Sequence, residues 1–284
     1  MAIPAKLLDG IDHLDPLPIT LQKLVAALQD DNIDMGEVAD IVEYDGAVAA
    51  NILRVANSAA YAGRVDIKQV RDAVMRLGTT SLLDISMGGY LRSLKVSAPL
   101  YDLTENDLWL HSAAASLAVK ALIKESGNRA IPAVANIAAL VHDIGKLIMV
   151  RYLTANVDQI WAQVEQSGCT FVEAERALFG CDHAEVGGAM ARKWNFPAQI
   201  VNAIEQHHAV SPQGDDLTVD AVMLANLVAK SVGAGLGAEG MNLRIDVYTI
   251  CQRVGLTLKG FERVCAQTSS WLAEFRKECD IQAQ

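Results

Sequence analysis

The sequence predicts an all-α protein. Hydrophobic residues make up 51% of the chain but aromatic residues only 5%, and the apolar content is mainly Ala, Leu, Val and Ile, which suits closely packed helices. Apolar residues recur at helical spacing from end to end, whereas the strict alternation typical of strands does not persist. We therefore predict a two-lobed helical bundle, in which an N-terminal group of short helices packs on a larger helical part.

The first segment, residues 1–100, is predicted to hold four or five short helices. "ITLQKLVAALQD" carries an amphipathic stripe, and "MGEVADIVEYDGAVAANILRVANSA" reads as two helices that meet near Asp45 and Gly46. "VRDAVMRLGTTSLLDISMGGYL" reads as two more, broken at Gly78, because glycine often interrupts a helical pattern. These helices would form the N-terminal lobe.

The second segment, residues 101–235, follows the stretch "SAPLYDLTEND", where Pro99 ends one helix and Thr104 can cap the next. The third, residues 236–284, is a mostly helical tail. Helices in the second segment are predicted over residues 105–126, 132–152, 155–167, 171–179, 183–194, 198–208 and 217–232.

Charge and composition restrict the possible partners and location. The formal net charge of −10 argues against a surface that gathers nucleic acid or anionic lipid, since both need a basic face. The sequence shows neither an export signal nor an apolar stretch of membrane-spanning length. The five cysteines form no CxxC pair, as in a reducing compartment. We expect a cytoplasmic protein with no direct nucleic-acid or membrane binding.

Histidines are concentrated after residue 100, where five of the six occur. Imidazole and carboxylate are ligands that divalent transition metals prefer, and a helical bundle can aim them inward from several helices. We therefore predict a site for one or more divalent metal ions, with Fe, Mn, Zn and Mg not distinguished. The five histidines are His111, His142, His183, His207 and His208.

The stretch "AALVHDIGKLIMV" places His142 and Asp143 in an otherwise apolar run. Neighbouring residues on a regular helix point about 100° apart, so this pair converges best where the helix is loosened, and Gly145 permits that. The two oxygens of Asp143 could face two ions. His207 and His208 fall at a predicted helix end, where the same argument applies.

Several polar neighbours have structural explanations. Asp182 can cap the helix that begins at His183, and Glu185 can close a capping box. Asp107 shares a helix face with His111 and could be an extra ligand, although the turn at its helix start explains it equally well.

Lys146 leaves two roles open. It could orient a phosphate or a water bound to metal, or it could simply form an ion pair. Asp143 and Lys146 are the residues we expect to take part in any catalysis.

The motifs resemble a known family. His111 followed by His142–Asp143 resembles the H…HD pattern of the HD metal-dependent phosphohydrolase superfamily, and "HDIGK" with the later histidines is similar to its HD-GYP branch. "YDGAVAANILRVANSAAYAG" followed by "IKQVRDAVMRLG" resembles the start of an HDOD domain, the HD-related output domain of bacterial signalling proteins, and "HAEVGGAMARKWNFPAQIVNAIEQHH" is similar to its later part. The resemblance covers roughly residues 14 to 232. It implies an all-α fold, a regulatory role and a set of candidate ligands: His111, His142, Asp143, His183, His207 and His208.

Two departures bear on catalysis. The closing Asp of catalytic HD proteins would fall in "VMLANLVAK", where this chain has Asn226, and an amide oxygen is a neutral and weaker ligand. The Gly-Tyr-Pro element of HD-GYP enzymes would follow the His pair, where this chain reads "AVSPQGDDL".

Three functions remain open from the sequence. The chain could be a regulatory module that keeps most of a metal site, with a signalling protein docked on residues 1–100. It could be a metal-dependent phosphohydrolase for a nucleotide or phosphodiester, in which bound ions activate water and Lys146 contacts the phosphate. In the third, the histidines are purely structural. We favour regulation and expect metal in the first two cases.

Overall fold

A computed structural model describes residues 3–13, 16–30, 32–57, 66–95, 97–104, 106–153, 157–210, 215–234 and 244–278. These residues form α-helices and one short 3-10 helix, and the part of the chain so described contains no strand beyond one isolated bridge between Ala98 and Leu103. The predicted all-α class is therefore confirmed. None of the helices in these ranges is both long enough and apolar enough to cross a membrane.

Five helices precede residue 100: α1 (Ala5–Asp12), α2 (Ile19–Ala27), α3 (Met35–Glu43), α4 (Gly46–Ala56) and α5 (Val70–Ser93). The side chain of Asp45 accepts hydrogen bonds from the first backbone amides of α4, which separates α3 from α4 where the sequence predicted. Gly78 interrupts α5 with a positive φ of 72°, a conformation that glycine adopts readily. The break predicted at Gly78 is therefore confirmed, because two helical segments of α5 meet there at a kink.

A 3-10 helix, Pro99–Tyr101, connects this part to α6 (Asp107–Ser126). The prediction that Thr104 caps α6 is wrong, because Asn106 occupies the capping position. Instead, the backbone N–H and the hydroxyl of Thr104 donate to Oδ2 of Asp107 at 2.6 and 2.5 Å. This turn satisfies the Asp107 carboxylate, which supports its structural explanation.

Nine helices follow α6 in the described ranges. The helix predicted over 132–152 is two helices, α7 and α8, separated by a turn at His142–Ile144. The helix predicted to end at 208 ends at Gln206, so the His207–His208 pair lies just beyond it. The nine are α7 (Ala135–Val141), α8 (Gly145–Tyr152), α9 (Val157–Ser167), α10 (Phe171–Phe179), α11 (His183–Lys193), α12 (Ala198–Gln206), α13 (Leu217–Ser231), α14 (Val247–Val254) and α15 (Leu258–Glu278).

Helix α6 is the central element of the second half. It packs against α7, α13 and α15, and its fully buried residues Ala114, Ala115 and Ala118 allow neighbouring helices to approach closely. Helix α11 packs against α8 and α12. This arrangement brings the start of α6, the α7–α8 turn, the start of α11 and the end of α12 towards one region of the core.

The N-terminal helices share their core with the rest of the chain. One hydrophobic cluster extends from Leu7 to Leu272, and α1 packs against α8 and α11. At Gly10 an added Cβ would lie 2.5 Å from the ring of Tyr152, so α1 lies directly on α8. The division at residues 100 and 235 stays a prediction.

Candidate metal centre

Six polar side chains meet where these helix ends come together. His111 lies in the second turn of α6, His142 and Asp143 lie in the α7–α8 turn, and His183 is the first residue of α11. His207 and His208 follow α12. Five of the six side chains are buried and His208 is half-buried. The structure therefore brings together every histidine and aspartate that the sequence singled out as a ligand candidate.

Asp143 is at the centre of this group. Its Oδ1 atom lies 3.3 Å from Nε2 of His183 and 3.6 Å from Nε2 of His207. Its Oδ2 atom lies 3.4 Å from Nε2 of His142 and 3.6 Å from Nε2 of His111. The two carboxylate oxygens therefore face two different pairs of imidazoles.

Two overlapping clusters result, both of which contain Asp143. In each of them one potential ligand atom per residue lies within 4.8 Å of all the others. The three-residue cluster consists of His111, His142 and Asp143, and the four-residue cluster consists of Asp143, His183, His207 and His208. Either spacing could hold a metal ion.

The hydrogen bonds of four histidines fix which ring nitrogen faces the centre. In each ring Nδ1 lies within hydrogen-bond distance of an oxygen that can only accept, so Nδ1 carries the proton and a neutral ring leaves Nε2 with a lone pair. All four Nε2 atoms face Asp143. The Nδ1 partners are Ala234 O for His111 at 2.9 Å, Ala139 O for His142 at 2.7 Å, Glu175 Oε2 for His183 at 2.7 Å and Ile204 O for His207 at 2.6 Å.

Burial favours the neutral form of His111 and His142, whereas a neighbouring cation keeps the Asp143 carboxylate charged. Desolvation lowers the pKa of His111 and lowers that of His142 well below its usual value. Burial alone would raise the pKa of Asp143, but the ammonium group of Lys146, 2.7 Å from Oδ2, holds it well below its usual range. The centre thus presents neutral nitrogen lone pairs around an anionic carboxylate.

Two of these acceptor atoms have no hydrogen-bond partner. Among the residues that the structure describes, Oδ1 of Asp143 and Nε2 of His207 are fully buried and make no hydrogen bond, although they lie 3.6 Å apart. A buried acceptor without a donor is costly, and two that face each other also repel. A divalent transition metal ion bound by both atoms would remove this cost, so the donor set fits such an ion.

Lys146 brings a positive charge next to Asp143. Its Nζ atom lies 2.7 Å from Oδ2 of Asp143 and 5.1 Å from the centre of the Tyr101 ring. The side chain is buried. Of the two roles that the sequence left open for Lys146, the ion pair is the one present in this structure.

Sequence reasoning missed two residues behind His183. Oε2 of Glu175 accepts from Nδ1 of His183 at 2.7 Å and from its backbone N–H at 3.3 Å. The hydroxyl of Tyr101 donates to Oε1 of Glu175 at 2.6 Å. A signal was available, because Glu175 lies four residues after the buried Phe171 and hence on the apolar face of α10.

Gly145 has a packing role that the sequence did not predict. An added Cβ would clash with the carbonyl oxygen of His183 and would lie 2.5 Å from the backbone nitrogen of Gly187. The glycine therefore allows the start of α8 to approach the start of α11. This close approach brings His183 to Asp143.

The capping box before His183 is confirmed. The side chain of Asp182 accepts from the backbone N–H of Glu185 at 2.8 Å, and the side chain of Glu185 accepts from the N–H of Asp182 at 3.1 Å. Asp182 also pairs with Arg176. Both carboxylates therefore serve the helix start, and neither belongs to the metal clusters found among the described residues.

A pocket reaches the four-residue cluster from solvent. It encloses about 700 Å³, including its open mouth, and His207 and His208 contribute to its wall together with Asn226 and Lys230. The side chain of Asn226 is buried, and its Oδ1 atom makes no hydrogen bond. Residues 211–214, in the stretch where HD-GYP enzymes carry their Gly-Tyr-Pro element, lie outside the described residues.

Comparisons with known proteins agree with this architecture. The family model of the HDOD domain matches residues 14–210. A curated relative, an uncharacterized protein of Treponema pallidum (strain Nichols), is 23% identical over 235 residues, which are 80% of this chain and 44% of the relative. The chain therefore spans less than half the length of that relative.

Solved structures share the fold. An HDOD domain protein of unknown function from Geobacter sulfurreducens superposes with a TM-score of 0.75 at 24% identity, covering 97% of this chain and 95% of the other. A candidate phosphohydrolase from Shewanella amazonensis SB2B gives a TM-score of 0.68 at 23% identity, with 95% and 97% covered. A candidate signal transduction protein from Marinobacter aquaeolei VT8 gives 0.69 at 23% identity, with 96% and 62% covered. At these identities the likeness concerns the fold.

Proposed function

Because the chain belongs to the HDOD family, we propose that it is a regulatory protein whose HD-like half binds a divalent metal ion without carrying a complete set of hydrolase residues. One observation carries the metal-binding part of this proposal. Four imidazole Nε2 lone pairs surround the Asp143 carboxylate, and two of these acceptors, Oδ1 of Asp143 and Nε2 of His207, have no donor.

The side chains that could hold an ion, in one cluster or the other, come from four helix ends. His111, His183 and His207 are distant in sequence, and each is fixed by its Nδ1 hydrogen bond. A bound ion supplies Lewis acidity and a connection between these ends. Because the ligands converge only in the folded chain, the binding energy would also stabilise the fold.

A regulatory role is favoured by the residues next to the ligands. The catalytic HD proteins that this chain resembles have a carboxylate at the position of Asn226. The Gly-Tyr-Pro element of HD-GYP enzymes is missing from "AVSPQGDDL". Lys146 is paired with Asp143 at 2.7 Å, so it would have to leave this partner before it could contact a phosphate. These three features weaken the case for phosphate chemistry.

The test compares the wild type with Asp143→Asn, because Asp143 belongs to both clusters and asparagine keeps its size. We expect the wild type, purified without chelator, to carry a transition metal and the variant to lose it. The loaded wild type should turn over none of a panel of cyclic dinucleotides, linear dinucleotides and nucleotides. Metal-free wild type would contradict the metal site, and turnover that Asp143→Asn abolishes would contradict the regulatory role.

The second candidate is a phosphohydrolase for a nucleotide or phosphodiester. The pocket favours it, since apolar Phe171 and Met223 share the wall with Arg176 and Lys230 beside His207. Such a mixture suits a ligand with a flat apolar part and an anionic part. Turnover in the same panel, lost in Asp143→Asn, would establish it.

We also propose the N-terminal helices as the surface for a signalling partner. Tyr44, which directly follows α3, and Met75 on α5 are 79% and 68% exposed. Helices α3 and α5 pack against each other, and a contiguous exposed apolar patch marks an interaction surface. A partner captured by the wild type should be released by Tyr44→Ser with Met75→Ser, whereas metal content should not change. Unchanged capture would place the partner elsewhere.

A further inference from the structure

The two clusters differ in what they offer an ion. The four-residue cluster presents one carboxylate oxygen and three imidazoles, which completes a tetrahedral set of protein ligands. The three-residue cluster presents one carboxylate oxygen and the imidazoles of His111 and His142. An ion there would have one imidazole ligand fewer than in the four-residue cluster.

The two oxygens of the Asp143 carboxylate differ in their partners. Its Oδ2 atom, which faces the three-residue cluster, is paired with Nζ of Lys146 at 2.7 Å. Its Oδ1 atom, which faces the four-residue cluster, makes no hydrogen bond. An ion bound to Oδ2 would lie close to the ammonium group and be repelled by it, whereas an ion bound to Oδ1 would meet an unpaired anionic oxygen.

The hydrogen-bond acceptors of the histidine Nδ1 atoms add to the difference between the two clusters. His183 donates to the carboxylate of Glu175 at 2.7 Å, and a carboxylate partner raises the basicity of a histidine ligand. His111 and His142 donate to the neutral backbone carbonyls of Ala234 and Ala139. The positive charges of Lys146 and Lys230 also act on His111.

We propose that the centre binds one ion tightly, in the four-residue cluster, and that the ammonium group of Lys146 supplies the positive charge of the three-residue cluster in place of a second ion. This inference rests on the proposed metal-binding function. It assigns Lys146 the role of limiting the metal content to one ion per chain. His111 and His142 then stabilise the Asp143 side of the centre without holding the ion.

The experiment measures zinc per chain by elemental analysis after equilibrium dialysis of the full chain against a series of buffered Zn²⁺ concentrations. The wild type should saturate at one ion per chain before a second is taken up. His207→Ala should weaken the tight site by at least about 10-fold, whereas His111→Ala should leave its affinity within about 2-fold of the wild type. Circular dichroism verifies that the variants are folded.

The decisive variant is Lys146→Met, which removes the charge and keeps most of the length. It should bind a second ion at concentrations where the wild type holds one, because Oδ2 of Asp143 is then unpaired. Lys120→Met is the matched control, since Lys120 also pairs with a largely buried carboxylate, that of Asp84 at 3.2 Å, and it should keep a content of one. The pair His111→Ala and His207→Ala tests the assignment even if Lys146→Met does not fold.

Three results would overturn the inference. The wild type could bind two ions with equal affinity, His111→Ala could lose the tight ion while His207→Ala keeps it, or Lys146→Met could stay at one ion. In each of these cases metal is still bound, so the proposed metal-binding function survives. Absence of bound zinc from the wild type at every concentration would instead overturn both.

Discussion

Nε2 of His207 lies 3.6 Å from Oδ1 of Asp143, and both atoms are buried without a hydrogen-bond partner. The other nitrogen of His207 donates to the carbonyl of Ile204, so its Nε2 atom has a lone pair and no proton to offer Asp143. Two acceptors held together in this way destabilise the metal-free protein. They also form a preorganised pair of ligands.

Metal binding should therefore raise the thermal stability. At an ion concentration 100 times the dissociation constant, one site stabilises the fold by about 2.7 kcal/mol, and the midpoint of thermal unfolding should rise by several degrees. Differential scanning calorimetry with Zn²⁺ and with a chelator measures the difference. In Asp143→Asn the two midpoints should coincide, and a metal-dependent rise retained in that variant would place the ion elsewhere.

Glu175→Gln should weaken metal binding without touching a ligand. The substitution keeps the size of the side chain but removes the charge next to Nδ1 of His183, and loss of such a partner typically costs 10- to 100-fold in metal affinity. Competition with a zinc chelator of known affinity measures the change.

Glu173→Gln is the control for this experiment. Glu173 lies on the same helix, where its side chain closes the capping box with Thr170, and glutamine can also fill that position. Its affinity for zinc should match the wild type. Equal losses in the two variants would point to a general effect of removing charge from α10.

Gly145→Ala should destabilise the fold strongly. The new Cβ would meet the backbone of His183 and Gly187, which cannot move aside as a flexible side chain can, so a loss of at least about 1–3 kcal/mol is expected. Urea denaturation measures the free energy of unfolding. Gly46→Ala is the matched control at another helix start, where an added Cβ meets nothing within 4 Å, and a loss as large there would remove the steric explanation.

These residues show which parts of the centre a sequence can predict. The polar doublets His142–Asp143 and His207–His208 lie in apolar surroundings at helix ends, so their convergence could be predicted from residue type and helical geometry. The need for a glycine at position 145 could not be predicted, because it depends on the distance between α8 and α11, which are far apart along the chain. Glu175 was missed, although it lies on the apolar face of α10, because a single acid on an amphipathic helix is usually solvated; its partners, Tyr101 and His183, are known only from the structure.

Asn226→Asp should change both the stability and the metal affinity of the protein. The Oδ1 atom of Asn226 is buried without a hydrogen bond, in the wall of the pocket that also contains His207 and His208. A carboxylate at this position would be costly in the metal-free protein, since an unpaired buried charge is poorly solvated, and would be compensated when an ion is bound nearby. We therefore expect a lower unfolding midpoint in chelator and a larger rise on addition of Zn²⁺ than in the wild type. Asn226→Ala, which removes the amide without adding charge, should lack the larger rise. The phosphodiester panel repeated with Asn226→Asp tests whether replacing the amide NH2 group by an oxygen is enough for hydrolysis.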